Sequence, residues 1–353
     1  MKDFSRFDAL ITPFYRPEEY PACHHQAEAW SETVPLKGLS VLDATPVYRN
    51  TLVKYRALVA AGVHLAVGLS PVMAHDKQIV RLLDELEVPV VDATGKKQAF
   101  DLILDCAASF STWEARLGYA ELTRSGEKEY AEISKPVFMA DSSRIKRIET
   151  VLGTGESYFR AMAQLGFSQW KGKRMVVFGS GKVGSGLIWY AALKGAVVTV
   201  VTDPQTVSDS LRSSIAQLID RNDREAISQA VALADAVVSA TGIKNALADS
   251  CAPELFIQSH ALLANMGVHD EFGPGVPKER VLRNKATLNF MLDEPTHLKY
   301  IDATFALHNA GALYLLQHSV PAGLITPPQE LEEEILSVTR ERGCITAELE
   351  LMV

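Results

Sequence analysis

Apolar runs and amphipathic stretches alternate along the first third of the chain. Leu39–Thr45 (LSVLDAT) reads as a strand ending in turn chemistry, and TLVKYRALVAAG as a helix stopped at Gly62. The strand-like VHLAVGLS, the helical DKQIVRLLDELE, and the strand-like VPVVDAT and FDLILDCAA follow. Strand–helix–strand order of this kind predicts a parallel sheet covered by helices on both faces. The pattern resumes at RMVVF, continues through a helix to Lys194, and returns to a strand in AVVTVVT. ADAVVSAT and ALLANMG supply two more strands. The fold class expected is α/β, with two α/β units.

Long helical patterns lie outside these units. SRIKRIETVLGTGESYFRAMAQLG is interrupted by Gly153 and Gly155, which read equally as a hinge or as an ordinary helix cap and turn. THLKYIDATFALHNAGALYLLQH is a long helix, and PPQELEEEILSVTRERG a final amphipathic one with prolines at its start and Gly343 at its end. The expected partition is a first α/β domain over 1–152, a second over 153–295, and C-terminal helices over 296–353.

Composition narrows the function classes. The chain has 353 residues, 47% hydrophobic and 22% charged, as in a globular protein with a real core. No apolar run is long enough for a membrane span, and MKDFSRFDALITPFY lacks the basic-then-apolar layout of a secretory signal, so a cytoplasmic location is expected. A net charge of −8 argues against a nucleic-acid partner. The partners expected are a small-molecule substrate and further copies of the chain, as a dimer or tetramer. Cys23, Cys106, Cys251 and Cys344 form no CxxC pair and read as reduced thiols. His24 and His25 have no acidic or cysteine partner at ligand spacing, so no metal is expected.

The chemistry is carried by RMVVFGSGKVGSG, in which a strand runs into GxGxxG at Gly179, Gly181 and Gly184 and then into a helix. Gly179 permits the turn, Gly181 lets backbone approach a pyrophosphate, and Gly184 lets the helix pack on the strand. Ser180, Lys182 and Val183 complete the loop and the helix N-terminus, whose N–H groups face the phosphates. At the end of the next strand Asp203 is placed for the adenosine ribose, favouring NAD over NADP; alternatively it caps the turn before Pro204. Thr241–Gly242 and Asn265–Met266–Gly267 end two later strands, where ligands of parallel sheets lie.

In order and spacing, PVFMADSSRIKRIETVLGTGESYFRA, the glycine loop, SATGIKN, ANMGVHDE and PPQELEEEI resemble the S-adenosylhomocysteine hydrolase (adenosylhomocysteinase) family. The resemblance covers most of the chain from about Leu39 and is densest from Pro136 to Gly267. It implies two α/β domains, the central one (153–295) a Rossmann dinucleotide-binding fold inserted into a substrate domain (1–152) to which the C-terminal helices (296–353) return. It also implies tightly held NAD+ that oxidises a ribose hydroxyl, thiol elimination, water addition and reduction back, with acid/base groups around the substrate. The chain is shorter than typical members and lacks their extended C-terminal tail. Where the family reads D-S-V-T-K-S-K-F-D-N this chain reads DSSRIKRIET; Ile145 takes the lysine's place, Lys146 follows it, and Glu149 stands for the aspartate. I-L-D-D-G-G becomes ILDCAA, with Cys106 for the second acid, and N-I-G-H-F-D becomes NMGVHD, with His269 displaced by one. An early family histidine is Asp43 here, and G-H-P-S becomes EPTHLK with His297 shifted. Cofactor binding is expected to be kept and substrate chemistry altered.

Lys146, Glu149 and His269 are the candidate catalytic residues; Lys146 and Glu149 read alternatively as an exposed ion-pair face and His269 as a solvated loop residue. Glu156 either contacts the cofactor or caps a helix, and Asp76 reads as an N-cap. Asn309 is the candidate for the cofactor's amide, because the family has an asparagine in this helix. Three functional readings stay open. They are an NAD enzyme with an internal oxidation–reduction cycle at a domain junction, a dehydrogenase or reductase that consumes NAD(H), and a non-catalytic NAD-binding regulatory protein.

Overall fold

The structure is a computed structural model and describes residues 5–73 and 75–350, the side chain of Glu350 excepted. The chain divides into two compact units, Met1–Ile148 with His297–Val353, and Glu149–Thr296. In chain order the strands are β1 (Ser40–Asp43), β2 (His64–Leu69), β3 (Val90–Asp92), β4 (Ala99–Asp105), β5 (Glu114–Glu121), β6 (Pro136–Met139), β7 (Arg174–Phe178), β8 (Val197–Thr202), β9 (Gln217–Asp220), β10 (Ala236–Ser239), β11 (Leu262–Asn265) and β12 (Gly323–Ile325). No described helix is long and apolar enough to cross a membrane.

The first unit is built on a seven-stranded sheet in the order β12-β6-β5-β4-β1-β2-β3, with every pair parallel. The order reverses between β1 and β4. Leu42, Ala66, Ile103, Tyr119 and Val137 feed one apolar cluster, closed by Phe110, Trp113 and Tyr130. The helix Thr51–Ala60 is buried along its whole length, which explains its weak amphipathicity. That burial takes in Lys54, whose ammonium donates to the equally buried Asp43 carboxylate at the end of β1. The helix Leu298–Gln317 is buried at most positions from Asp302 to Ala312 and carries the family-like asparagine. β5, β6 and β12 escape a pattern search, because β5 opens on charged residues and holds Gly118 at φ +144°, while β6 and β12 are short.

The second unit carries a five-stranded parallel sheet in the order β11-β10-β7-β8-β9, reversing between β7 and β10. Its strands are apolar on both faces. Met175 and Val177 of β7 enter one cluster with Val198, Val200 and Val238, whereas Val176 and Phe178 enter another with Val201, Val237 and Leu263. Burial on two sides is what a parallel sheet with helices on both faces requires. Each buried valine or leucine contributes about 1.5–3 kcal/mol of apolar burial. The doubly wound order is that of a Rossmann-type unit.

Ile148–Gly153 forms a π-helical turn that runs directly into the helix Thr154–Gln164. Gly153 has ordinary helical dihedrals there. A Cβ on Gly155 would stand 2.5 Å from the Gly186 carbonyl carbon, and one on Gly186 would stand 1.8 Å from the Val151 oxygen. These glycines allow the helix Thr154–Gln164 to lie against the helix Lys182–Leu193, a packing role that neither the hinge nor the cap reading contained.

Candidate functional site

The glycine loop follows β7 at the reversal point of the second sheet. Gly179 has φ +97°, and a Cβ there would lie 2.6 Å from the Ala240 carbonyl oxygen. A Cβ on Gly184 would lie 2.1 Å from the Gly179 oxygen, so only hydrogen lets the helix Lys182–Leu193 sit against the turn. Around Gly181, by contrast, a Cβ would meet nothing within 4 Å. Two glycines are thus demanded by packing and the third leaves a bare, open stretch of backbone. Gly181 is the helix N-cap with extended dihedrals and no side-chain cap, and Ser185 N–H donates to its oxygen. Lys182 is exposed, and Val183 packs against the core from the first turn. The helix start therefore offers N–H groups and a dipole end with no competing side-chain acceptor, which suits a diphosphate.

Ser180 Oγ lies 3.0 Å from Thr202 Oγ1, tying the loop to the end of β8. Asp203, next in sequence, caps the following turn by accepting from Gln205 N–H at 3.0 Å through Oδ1. Its Oδ2 takes no bond from the described residues. Arg212 reaches this turn, but its guanidinium donates to the Pro204 oxygen at 3.0 Å and faces Asp209 at 3.5 Å.

The loops beyond β10 and β11 are held by two buried side chains. Asn265 is 1% exposed. It donates to the carbonyls of Gly267, His269 and Lys285 and accepts from Ser239 Oγ and Gly267 N–H. Its amide is thus occupied with shaping its own loop. Glu271, which the sequence pattern passed over, is fully buried and accepts from Thr241 N–H, Thr241 Oγ1 and Gly242 N–H, each at 2.8 Å. Gly242 has φ +73° and open space beyond it. His269 is exposed, while Asp270 pairs with Lys285 at 2.9 Å. Glu149 lies on the π-helical turn and is partly buried; its carbonyl accepts from Thr154 Oγ1 at 3.4 Å. Glu156 pairs with Arg160 at 3.2 Å.

The remaining candidates belong to the first unit, where the reversal between β1 and β4 gathers buried polar groups. Asp105, ending β4, accepts from Cys106 N–H, Phe110 N–H and Tyr130 Oη. Glu121, ending β5, accepts from the N–H groups of Ala107, Ala108 and Thr123 and from Thr123 Oγ1. Ala107 and Ala108 stand at φ +58° and +52°, a left-handed pair at the positions where the resembling family has two glycines. Gly126 leaves room for the carboxylate, since a Cβ there would lie 2.5 Å from Glu121 Oε2. Burial and the neighbouring Glu121 charge raise Asp105 to about 7 despite its hydrogen bonds. The Cys106 thiol is pushed well above its ordinary range by burial and by Glu121, so it is protonated at neutral pH.

Lys146 is 2% exposed, so the solvent-facing alternative does not apply to it; its charge acts on Cys106 and His308. His308 Nε2 lies 2.9 Å from the Ala120 carbonyl, and burial together with Lys54 and Lys146 holds the ring neutral. Nε2 therefore carries the proton and Nδ1 is a buried acceptor with no bonding partner. Thr45 Oγ1, just beyond β1, and Asn309 Oδ1 are likewise buried without partners. Asn309 donates to Gln26 Oε1 and to the Lys54 carbonyl. Asp302 instead receives the N–H groups of Ala22 and Cys23, and burial raises it to about 6. Asp76 accepts from Gln78 and Ile79 N–H as the N-cap of the helix Lys77–Glu85. Among the described residues no group of His, Cys, Asp and Glu is placed to hold a metal ion.

No protein-family model and no curated protein sequence matches this chain. Solved structures do. A dipicolinate synthase subunit from Bacillus halodurans superposes with a TM-score of 0.53 at 11% identity, over 79% of this chain and 99% of that one. A protein assigned as an NAD-binding, D-isomer specific 2-hydroxyacid dehydrogenase from Polaromonas gives 0.48 at 14% identity over 82% and 99%. A transhydrogenase from Sinorhizobium meliloti gives 0.41 at 15% identity over 78% and 93%. At 11% identity the likeness to the first of these is one of fold, that of a chain built from α/β units.

Proposed function

We propose that this chain is an NAD-dependent oxidoreductase acting on a small polar molecule. The observation that carries the reading is the glycine loop, where Gly179 and Gly184 are packed to contact while Gly181 faces open space at an uncapped helix start. That arrangement fits a diphosphate cradle. Gly179–Gly184 and the helix N–H groups would hold the diphosphate, and Asp203 Oδ2 would accept from the adenosine ribose, disfavouring a 2′-phosphate by charge. Thr241–Gly242 and the loop Asn265–Gly267 would support the other half. When bound, the dinucleotide supplies hydride transfer.

On the first unit, the carboxyl ends of β1 and β4 are the place a ligand of an open parallel sheet takes. Thr45 Oγ1, a hydroxyl just beyond β1, and His308 Nδ1, an acceptor on the ring bonded to Ala120 of β5, are groups whose burial calls for a partner. Lys146 is the group proposed to move or hold a proton there; Glu149 and His269 belong to the second unit and are proposed as proton carriers on that unit. Cys106, protonated and buried, is assigned no nucleophilic role. The adenosylhomocysteinase-like cycle on a nucleoside thioether is the finer form of this reading; net oxidation or reduction of another small molecule is the alternative.

Titration calorimetry of the purified protein with NADH and NADPH tests the reading. Saturable binding with NADH the tighter ligand is expected, and absence of binding to both overturns it. Cofactor that stays bound and is regenerated during turnover would separate the internal cycle from net redox chemistry, in which NADH accumulates or is consumed.

A further inference from the structure

We infer that Glu271 is the positioning residue that sets the backbone under the nicotinamide half of the dinucleotide; this rests on the dinucleotide reading above. A carboxylate is acceptor-only, and this one meets three donors from one short loop. Oε2 takes Thr241 N–H and Oγ1, and Oε1 takes Gly242 N–H. From the other side the same carboxylate rests on the loop after β11, since a Cβ on Gly267 would fall 2.0 Å from Oε1. The Glu271 carbonyl accepts from Leu247 N–H, fixing the helix that follows the β10 loop as well. Two loops from neighbouring strands are thereby locked at one spacing by one fully buried side chain.

The strand order gives that spacing its meaning. A dinucleotide spanning the reversal point places its adenosine half over β7 and β8, beside Asp203, and its other half over β10 and β11. Glu271 makes no hydrogen bond to the glycine loop or to Asp203; it reaches the glycine loop only through Thr241, whose Cα would stand 3.1 Å from a Cβ on Gly179, so its larger effect falls on the half of the ligand over β10 and β11. A glutamine keeps the volume but has one acceptor oxygen, so its NH2 must face a backbone N–H of Thr241 or Gly242.

The test compares NADH and ADP affinities in the wild type and in Glu271→Gln. The expected result is NADH binding weakened about tenfold or more with ADP binding unchanged within about twofold. NADH affinity equal to wild type overturns the proposal, and so does an equal loss for both ligands, which marks a general loosening of the unit. Should Glu271→Gln lack a cooperative melt, Glu271→Asp carries the same test, because it keeps two acceptor oxygens but withdraws them by one methylene from Thr241 and Gly242. A wild type that binds neither ligand defeats the dinucleotide reading itself, whereas normal wild-type binding with an unaltered variant defeats only the role of Glu271.

Discussion

A Cβ on Gly184 would stand 2.1 Å from the carbonyl oxygen of Gly179, while one on Gly181 would touch nothing. Gly184 is thus demanded by packing, whereas Gly181 is free of packing and is the glycine proposed to face the diphosphate. Gly184→Ala is expected to destabilise the inserted unit by about 2 kcal/mol or more, because backbone must move. Gly181→Ala is expected to leave the melting curve within about 0.5 kcal/mol of wild type and yet weaken NADH about tenfold or more. Calorimetry beside thermal melts distinguishes them, and a Gly181→Ala protein that binds normally removes the cradle from consideration.

Asp203 combines a turn cap with one uncommitted carboxylate oxygen. Asparagine preserves the capping oxygen while removing the charge. Asp203→Asn is expected to leave stability near wild type and to shift the NADPH-to-NADH affinity ratio toward NADPH by about tenfold. An unchanged ratio would mean that the adenosine ribose lies elsewhere.

Ala107 and Ala108 hold left-handed dihedrals against the preference of a Cβ, restrained by Glu121. Ala108→Gly relieves that strain, at a smaller entropic cost in the unfolded chain, and is expected to stabilise the protein by about 0.5–1 kcal/mol. A denaturant midpoint that moves down instead would show that the methyl makes contacts worth more than the strain.

Asp105 is raised to about 7 by burial and by Glu121, against an unfolded value near 3.8. Between those values the folded state holds a proton that the unfolded state has lost. Its contribution to stability therefore falls as pH rises from about 4 to 7 and is constant above. His308 acts oppositely, since burial keeps it neutral and stability falls as pH drops below its unfolded value of 6.5. Asp105→Asn cannot titrate, so the difference between wild type and variant isolates the acid. Relative to the variant, wild type should gain on the order of 1–3 kcal/mol between pH 7 and pH 4. Parallel pH profiles for the two proteins would place Asp105 at an ordinary value.

By itself the sequence determined the alternation of strands and helices, the strand–glycine–helix passage at Gly179–Gly184, and the Asp76 cap. Each is written in adjacent residues whose dihedral preferences and periodicity act locally. The tertiary structure alone decided that Lys146 is buried, that Asn265 spends its amide on its own loop, and that Gly155 meets Gly186. It also decided that Glu271 and Glu121, acids that no sequence motif singled out, organise loops at the strand ends. Their hydrogen-bond donors come from segments up to about thirty residues away, and only the parallel register of neighbouring strands brings such segments together. Burial then makes an unmet polar group expensive, so the long-range geometry rather than the local pattern settles which acids are structural and which face a ligand.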